Sequence, residues 1–144
     1  MSAEPGRIGL LPRNGDVSAI QWFEAPRCFA FHFANAYDDG DLTIIDLMKH
    51  KRMFLTDQNG PNEGAPILVR WTLHRPSGRL TEAVIDDRGN EFARINGRNA
   101  GQAYRYAYTA HWGGRCGLRP RDEARPDAHT TEVHDGSVAI GGRW

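Results

Sequence analysis

His32 is the residue whose surroundings most favour chemistry, because it closes an apolar run and a polar, acidic turn follows it. The run reads CFAFHFA at residues 28–34, and NAYDD continues at residues 35–39. A strand that packs a core can direct such a histidine inward, and a neutral imidazole there can bind a transition metal. An ordinary buried histidine fits the same place, so His32 alone leaves both interpretations open.

The other histidines do not complete a compact metal motif. None of the six matches HExxH, so ligands of any metal must come from separate strands. His74 lies on the polar face of its segment beside a turn and is expected in solvent. His50 belongs to the basic cluster at residues 49–52 and is expected in a surface loop. His111 can point either way, and two more lie in the C-terminal segment, His129 and His134.

Glu91 is the second candidate, because it leads into the apolar segment EFARI after the turn-like residues 86–90. It is either a solvated residue at a strand start or a buried acceptor, which then needs a partner. No catalytic residue is assigned, since there is no recognisable Ser/His/Asp set and no pair of carboxylates. The glycines at residues 97–101 follow no βαβ pattern and do not indicate nucleotide binding.

Composition limits the class of protein. The 144 residues carry 18 basic and 18 acidic side chains, and this neutral balance argues against nucleic acid as the main partner. There is no apolar run of the roughly 20 residues that span a bilayer and no apolar signal-peptide centre. The two cysteines form no CxxC pair, which predicts a cytoplasmic protein with reduced thiols.

Short strands dominate the predicted structure. Strands are expected near residues 8–11, 19–23, 28–33, 42–47, 67–73, 80–85 and 104–108. The Asp39-Gly40-Asp41 turn joins two of them, and Pro76-Ser77-Gly78 closes a hairpin. Residues 67, 69, 71 and 73 form one apolar face, and three tyrosines alternate along residues 104–108. Helical periodicity is lacking, so the class is all-β, as a sandwich, barrel or propeller.

The character changes after residue 111. Residues 112–144 are rich in Gly, Arg, Asp and Pro, and their apolar residues are scattered. Residues 130–133 fit one short strand, and the other residues of this segment lack the apolar density of a packed core. We therefore divide the chain into residues 1–111 and a weakly ordered, divergent tail at residues 112–144.

Three segments in order resemble the carotenoid cleavage oxygenase family, which includes stilbene-cleaving dioxygenases and a retinal pigment epithelial isomerase. They are WFEAPRCFAFH at residues 22–32 followed by NAYD at 35–38, LVRW at 68–71, and EFARI at 91–95 followed by YRYAY at 104–108. The resemblance covers about residues 7–110. It implies a seven-bladed β-propeller with a non-haem Fe(II) (Fe2+) ion held by four histidines, three of which are hydrogen-bonded by glutamates. The substrates implied are O2 and an apolar, conjugated small molecule.

The resemblance assigns His32 as one iron ligand and Glu91 as the glutamate that hydrogen-bonds to it. The two side chains should therefore approach each other. Full-length members are about three times longer, so the other three ligands fall before Met1 or beyond Trp144. Ala93 replaces a usual proline and Asp38 a usual glutamate. Residues 136–144 do not resemble the continuation of the family and read as a frameshift or broken gene would.

The chain is therefore expected to be two to three blades of the propeller, an oxygenase fragment that binds iron weakly and does not turn over alone. The alternative is a non-catalytic β-sheet module that associates through exposed strand edges. A third interpretation is a truncated gene product without function.

Overall fold

Ten strands build the part of the chain that the structure describes. This computed structural model describes residues 4–56, 58–59, 63–111, 130–134 and 137–141. Within these residues the only helices are three 3-10 turns. None of them is long enough to span a membrane. The strands are β1 Gly6–Leu10, β2 Gln21–Ala25, β3 Phe29–Asp39, β4 Leu42–His50, β5 Ile67–His74, β6 Arg79–Asp86, β7 Asn90–Ile95, β8 Tyr106–His111, β9 Thr130–His134 and β10 Ser137–Gly141. The predicted all-β class is confirmed.

The central sheet is an antiparallel meander in the order β3-β4-β5-β6. Two residues join β3 to β4, and Gly40 adopts a φ of 56° there, a conformation that favours glycine. The β5-β6 hairpin closes through the 3-10 turn Arg75–Ser77, and Gly78 ends it with a φ of 67°. Both turns that the sequence predicts are confirmed.

Both faces of the central sheet are covered, which explains the nearly continuous apolar sequence of β4. On one face, the β1-β2 hairpin packs Phe23 and Ala25 against the sheet. The sheet residues in this cluster are Ile45, Leu47, Val69, Trp71 and Leu73. On the other face, Ala93 of β7 packs against Met48 and Leu68. Because strand side chains alternate between faces, β4 and β5 supply apolar residues to both clusters.

The tyrosine segment differs from its prediction. Tyr104 is buried but precedes β8, whereas Tyr106 and Tyr108 lie within the strand and are about half exposed. Ala107 and Thr109 form the buried face instead. The aromatic alternation is therefore present, but Tyr106 and Tyr108 mark the accessible side of β8, because Ala107 and Thr109 face the interior.

A second four-stranded sheet has the order β7-β8-β10-β9, with all neighbours antiparallel. Its last two strands come from residues 130–141, where the sequence indicates one strand at most. Main-chain pairing needs no particular side chain, so scattered apolar residues do not signal it. Residues 112–129, 135–136 and 142–144 lie outside the described part, and so does most of the predicted weakly ordered tail.

Candidate metal centre

The candidate site begins with a direct contact between His32 and Glu91. Nδ1 of His32 and Oε1 of Glu91 form a hydrogen bond although 59 positions separate the residues. His32 lies on β3 of the central sheet and Glu91 on β7 of the second sheet. The predicted approach of these two side chains is confirmed, and the contact joins the two sheets.

Irregular strand pairing accompanies both residues. The β3-β4 register shifts between Ala30 and Phe33, so His32 lies in a bulge. The β7-β8 register shifts between Glu91 and Arg94, where Phe92 has a φ of 56°. A bulge re-aims the side chains beside it and is common next to functional sites. The two bulges thus set the directions from which the histidine and the carboxylate meet.

His50 is a third member of the site, and its predicted place in a surface loop is wrong. It ends β4, is only 1% exposed, and its Nε2 lies 3.5 Å from Oε2 of Glu91. Strand β4 continues past Leu47, and the period-two alternation places His50 on the same face as Met48. That alternation was the available signal, and the surrounding basic residues concealed it.

Glu91 is a buried carboxylate between two imidazoles. Its side chain is 4% exposed, and burial of an unpaired charge would be costly. Burial lowers the pKa of His50 below its ordinary value of 6.5, while the charge and hydrogen bonding of Glu91 act in the opposite direction. His50 is therefore a neutral imidazole at pH 7, able to donate one N–H.

Aromatic rings surround the histidines on the accessible side. The Phe92 ring lies 4.9 Å from the His32 ring, and the Phe31 ring meets His50 edge-on at 5.3 Å. Phe31 also contacts Phe29 and Phe54. Phe31 and Phe92 remain about half exposed, so they present an apolar surface beside His32 that suits an apolar ligand.

The donor set fits one position of a metal site. Glu91 engages Nδ1 of His32, and the ring has a second nitrogen, Nε2, on a side chain that is 31% exposed. A carboxylate on one imidazole nitrogen fixes the tautomer that offers the other nitrogen to a metal. Among the described residues, no group of three or more His, Cys, Asp or Glu side chains could hold an ion. These residues therefore have the chemistry of one ligand position and its orienting carboxylate.

The remaining histidines of the sequence do not join this group in the described part. His74 pairs through Nδ1 with the hydroxyl of Ser77 at 2.7 Å, at the turn after β5, as its expected solvent position implies. The side chains of His111 and His134 and all of His129 lie outside what the structure describes.

This chain belongs to the retinal pigment epithelial membrane protein family, whose profile matches residues 1–137. A carotenoid cleavage oxygenase of Mycobacterium tuberculosis is 36% identical over 110 residues, which cover 73% of this chain and 22% of that protein. An isoeugenol monooxygenase of Pseudomonas putida is 35% identical over 137 residues, covering 88% of this chain and 27% of that protein. The resemblance to carotenoid cleavage oxygenases predicted from the sequence is confirmed.

A comparison with solved structures supports the same family assignment. A cobalt-substituted apocarotenoid oxygenase of Synechocystis superposes with a TM-score of 0.67 at 25% identity, covering 74% of this chain and 23% of that one. The predicted fold, an all-β part of a β-propeller, is confirmed by this likeness. The chain spans about a quarter of the length of the proteins it matches.

Proposed function

We propose that this chain is a segment of a non-haem Fe(II) dioxygenase that cleaves a conjugated C=C bond of a carotenoid, apocarotenoid or stilbene. The observation that carries the proposal is the hydrogen bond between Nδ1 of His32 and the buried carboxylate of Glu91. The relatives support the substrate class, since one is named a carotenoid cleavage oxygenase and another an apocarotenoid oxygenase.

In this proposal His32 is an iron ligand and Glu91 orients it. A neutral imidazole suits Fe(II), and a carboxylate on the opposite nitrogen makes the ligating nitrogen more basic. Glu91 holds the proton at Nδ1, so the lone pair is at Nε2. The structural relative is described as cobalt-substituted, which supports a metal centre in that protein.

Fe(II), when bound, supplies the redox chemistry that O2 requires to react with an alkene. The overall conversion breaks the C=C and O=O bonds and forms two C=O bonds, so O2 is reduced as the alkene carbons are oxidised. It requires no external reductant and no net proton. The exposed rings of Phe31 and Phe92 contribute an apolar surface that excludes water beside His32.

The isolated chain should bind iron weakly and should not turn over. One histidine cannot reproduce a site of several ligands, because affinity and geometry both depend on the full ligand set. Stoichiometric, tight iron with cleavage of a stilbene or apocarotenal by the purified chain would contradict this proposal.

A titration with Fe(II) under argon tests the role of His32. Fe(II) is paramagnetic, so it should broaden the imidazole NMR signals of His32 at lower concentrations than those of the other histidines. Glu91→Gln should raise the required iron concentration about tenfold, the lower end of the effect of losing such a partner. In His32→Gln, the remaining histidines should broaden only at the higher iron concentrations.

His74→Gln is the matched control, because His74 is bonded to Ser77 away from this site. It should leave the broadening of His32 unchanged. Equal broadening of His32 and His74 in the parent chain, or an unchanged response in Glu91→Gln, would contradict the assignment.

A further inference from the structure

We propose that His50 is a positioning residue: it holds the second carboxylate oxygen of Glu91 and, through Glu91, fixes the imidazole of His32. The importance of this arrangement for catalysis rests on the proposed function, but the arrangement itself can be tested without metal. Three strands contribute to it, since His32 lies on β3, His50 on β4 and Glu91 on β7.

The carboxylate of Glu91 faces a different histidine with each oxygen. Oε1 contacts Nδ1 of His32, whereas Oε2 lies 3.5 Å from Nε2 of His50, a separation at the upper limit for a hydrogen bond. A carboxylate held at one oxygen can still pivot about its side-chain torsions. A second donor on the other oxygen restricts that rotation, so the direction presented to His32 is fixed from both sides.

The surroundings of His50 favour a fixed orientation of its own ring. The side chain is 1% exposed, and the Phe31 ring packs edge-on against it with centroids 5.3 Å apart. The main chain of Gly64 offers this imidazole a second acceptor, so Gly64 and Glu91 compete for the single N–H of a neutral ring. Phe31 directly precedes His32, so the same local segment of β3 packs His50 and carries the candidate ligand.

A purely structural buried histidine makes a different prediction from a positioning residue. If His50 only filled space, an apolar side chain of similar size would leave His32 unchanged. If His50 positions Glu91, that replacement removes the donor at Oε2 and leaves a buried acceptor unsatisfied. A glutamine should preserve the effect, because its amide N–H can still donate.

The tautomers of the two histidines provide the direct test. In the metal-free, 15N-histidine-labelled chain at pH 8, long-range 1H–15N spectra distinguish an Nδ1 proton from an Nε2 proton. We expect His32 with its proton on Nδ1 and His50 with its proton on Nε2. A His50 proton on Nδ1 would overturn the proposal without any substitution.

Two variants extend the test. His50→Met should lower the ratio of the Nδ1–H to the Nε2–H form of His32 about fivefold, as expected for the loss of roughly one net hydrogen bond. His50→Gln should retain the parent ratio, and His74→Gln is the control. An unchanged His32 ratio in a folded His50→Met chain would overturn the proposal. If that variant does not fold, the His50 tautomer of the parent chain still decides.

These measurements separate the inference from the proposed function. They use no iron, so the expected tautomers support the positioning role whatever the outcome of the Fe(II) titration. Conversely, iron broadening at His32 together with a His50 proton on Nδ1 would retain the metal role and overturn this inference.

Discussion

At the residue scale, one buried carboxylate lies between two imidazoles that differ in their exposure. His32 is accessible and can offer a nitrogen to a metal, whereas His50 is enclosed and neutral. Oε1 of the buried Glu91 carboxylate bonds to His32, and Oε2 lies 3.5 Å from Nε2 of His50. An accessible imidazole is thus supported by interior residues, and the interior part should influence stability as well as the metal binding proposed for His32.

The lowered pKa of His50 predicts a pH dependence of stability. In the unfolded chain this imidazole takes up a proton near its ordinary pKa of 6.5, but in the folded chain burial opposes protonation. Below pH 6.5 the unfolded state thus binds more protons than the folded state. The contribution of neutral His50 to stability is therefore present above pH 6.5 and is lost as the pH falls through the pKa of His50 in the folded chain.

Urea unfolding at several pH values measures this effect. Between pH 7.5 and 5.5, the free energy of unfolding should fall about 1 kcal/mol more in the parent chain than in His50→Gln. The comparison cancels the groups that lie away from His50 and titrate alike in both chains. Equal losses in the two chains would contradict a neutral, buried His50.

At the element scale, polar side chains fix the second sheet and its leading loop against the central sheet. Asp46 of β4 is fully buried and accepts hydrogen bonds from Arg70 and from the Tyr104 hydroxyl, at 2.7 and 2.5 Å. Asn35 of β3 donates to the carbonyls of Asn99 and Gln102. These contacts place β8, and through its pairing β7 with Glu91.

Tyr104→Phe tests the contribution of this network. The substitution leaves a buried carboxylate without one donor, so the free energy of unfolding should fall by about 1–3 kcal/mol. Tyr106→Phe is the matched control, because Tyr106 is about half exposed, and it should change stability by less than about 0.5 kcal/mol. Similar values for the two variants in urea unfolding would show that the Asp46 network contributes little.

The elements also show how much the sequence could predict. The β5-β6 hairpin and the turn at Gly40 follow from period-two patterns and turn chemistry, which are local signals. The bulges at His32 and Glu91 depend on how β3 pairs with β4 and how β7 pairs with β8, which period-two patterns and turn chemistry do not specify. His50 was misplaced because its basic neighbours indicate a surface, whereas Phe31 of β3 and Glu91 of β7 pack against it in the folded chain. His32 and Glu91 could be paired in advance through the resemblance to the family.

At the scale of the whole molecule, this chain supplies about a quarter of the length of its relatives. In the described part, β6 pairs with β5 alone, and Val84 on β6 is exposed. Association through such an edge, the alternative function, stays a prediction. Any further ligands of an iron ion at His32 would have to come from outside the described residues, so a test of iron binding requires a complete propeller.

A hybrid protein provides that test most directly. Residues 1–110 of this chain would replace the matching segment of the carotenoid cleavage oxygenase of Mycobacterium tuberculosis, and iron content and alkene cleavage would be measured with and without His32→Ala. We expect the hybrid to retain iron and activity, and the His32→Ala hybrid to lose both, while the His74→Ala hybrid behaves as the parent. A folded His32→Ala hybrid that retains its full iron content would contradict the assignment of His32 as an iron ligand.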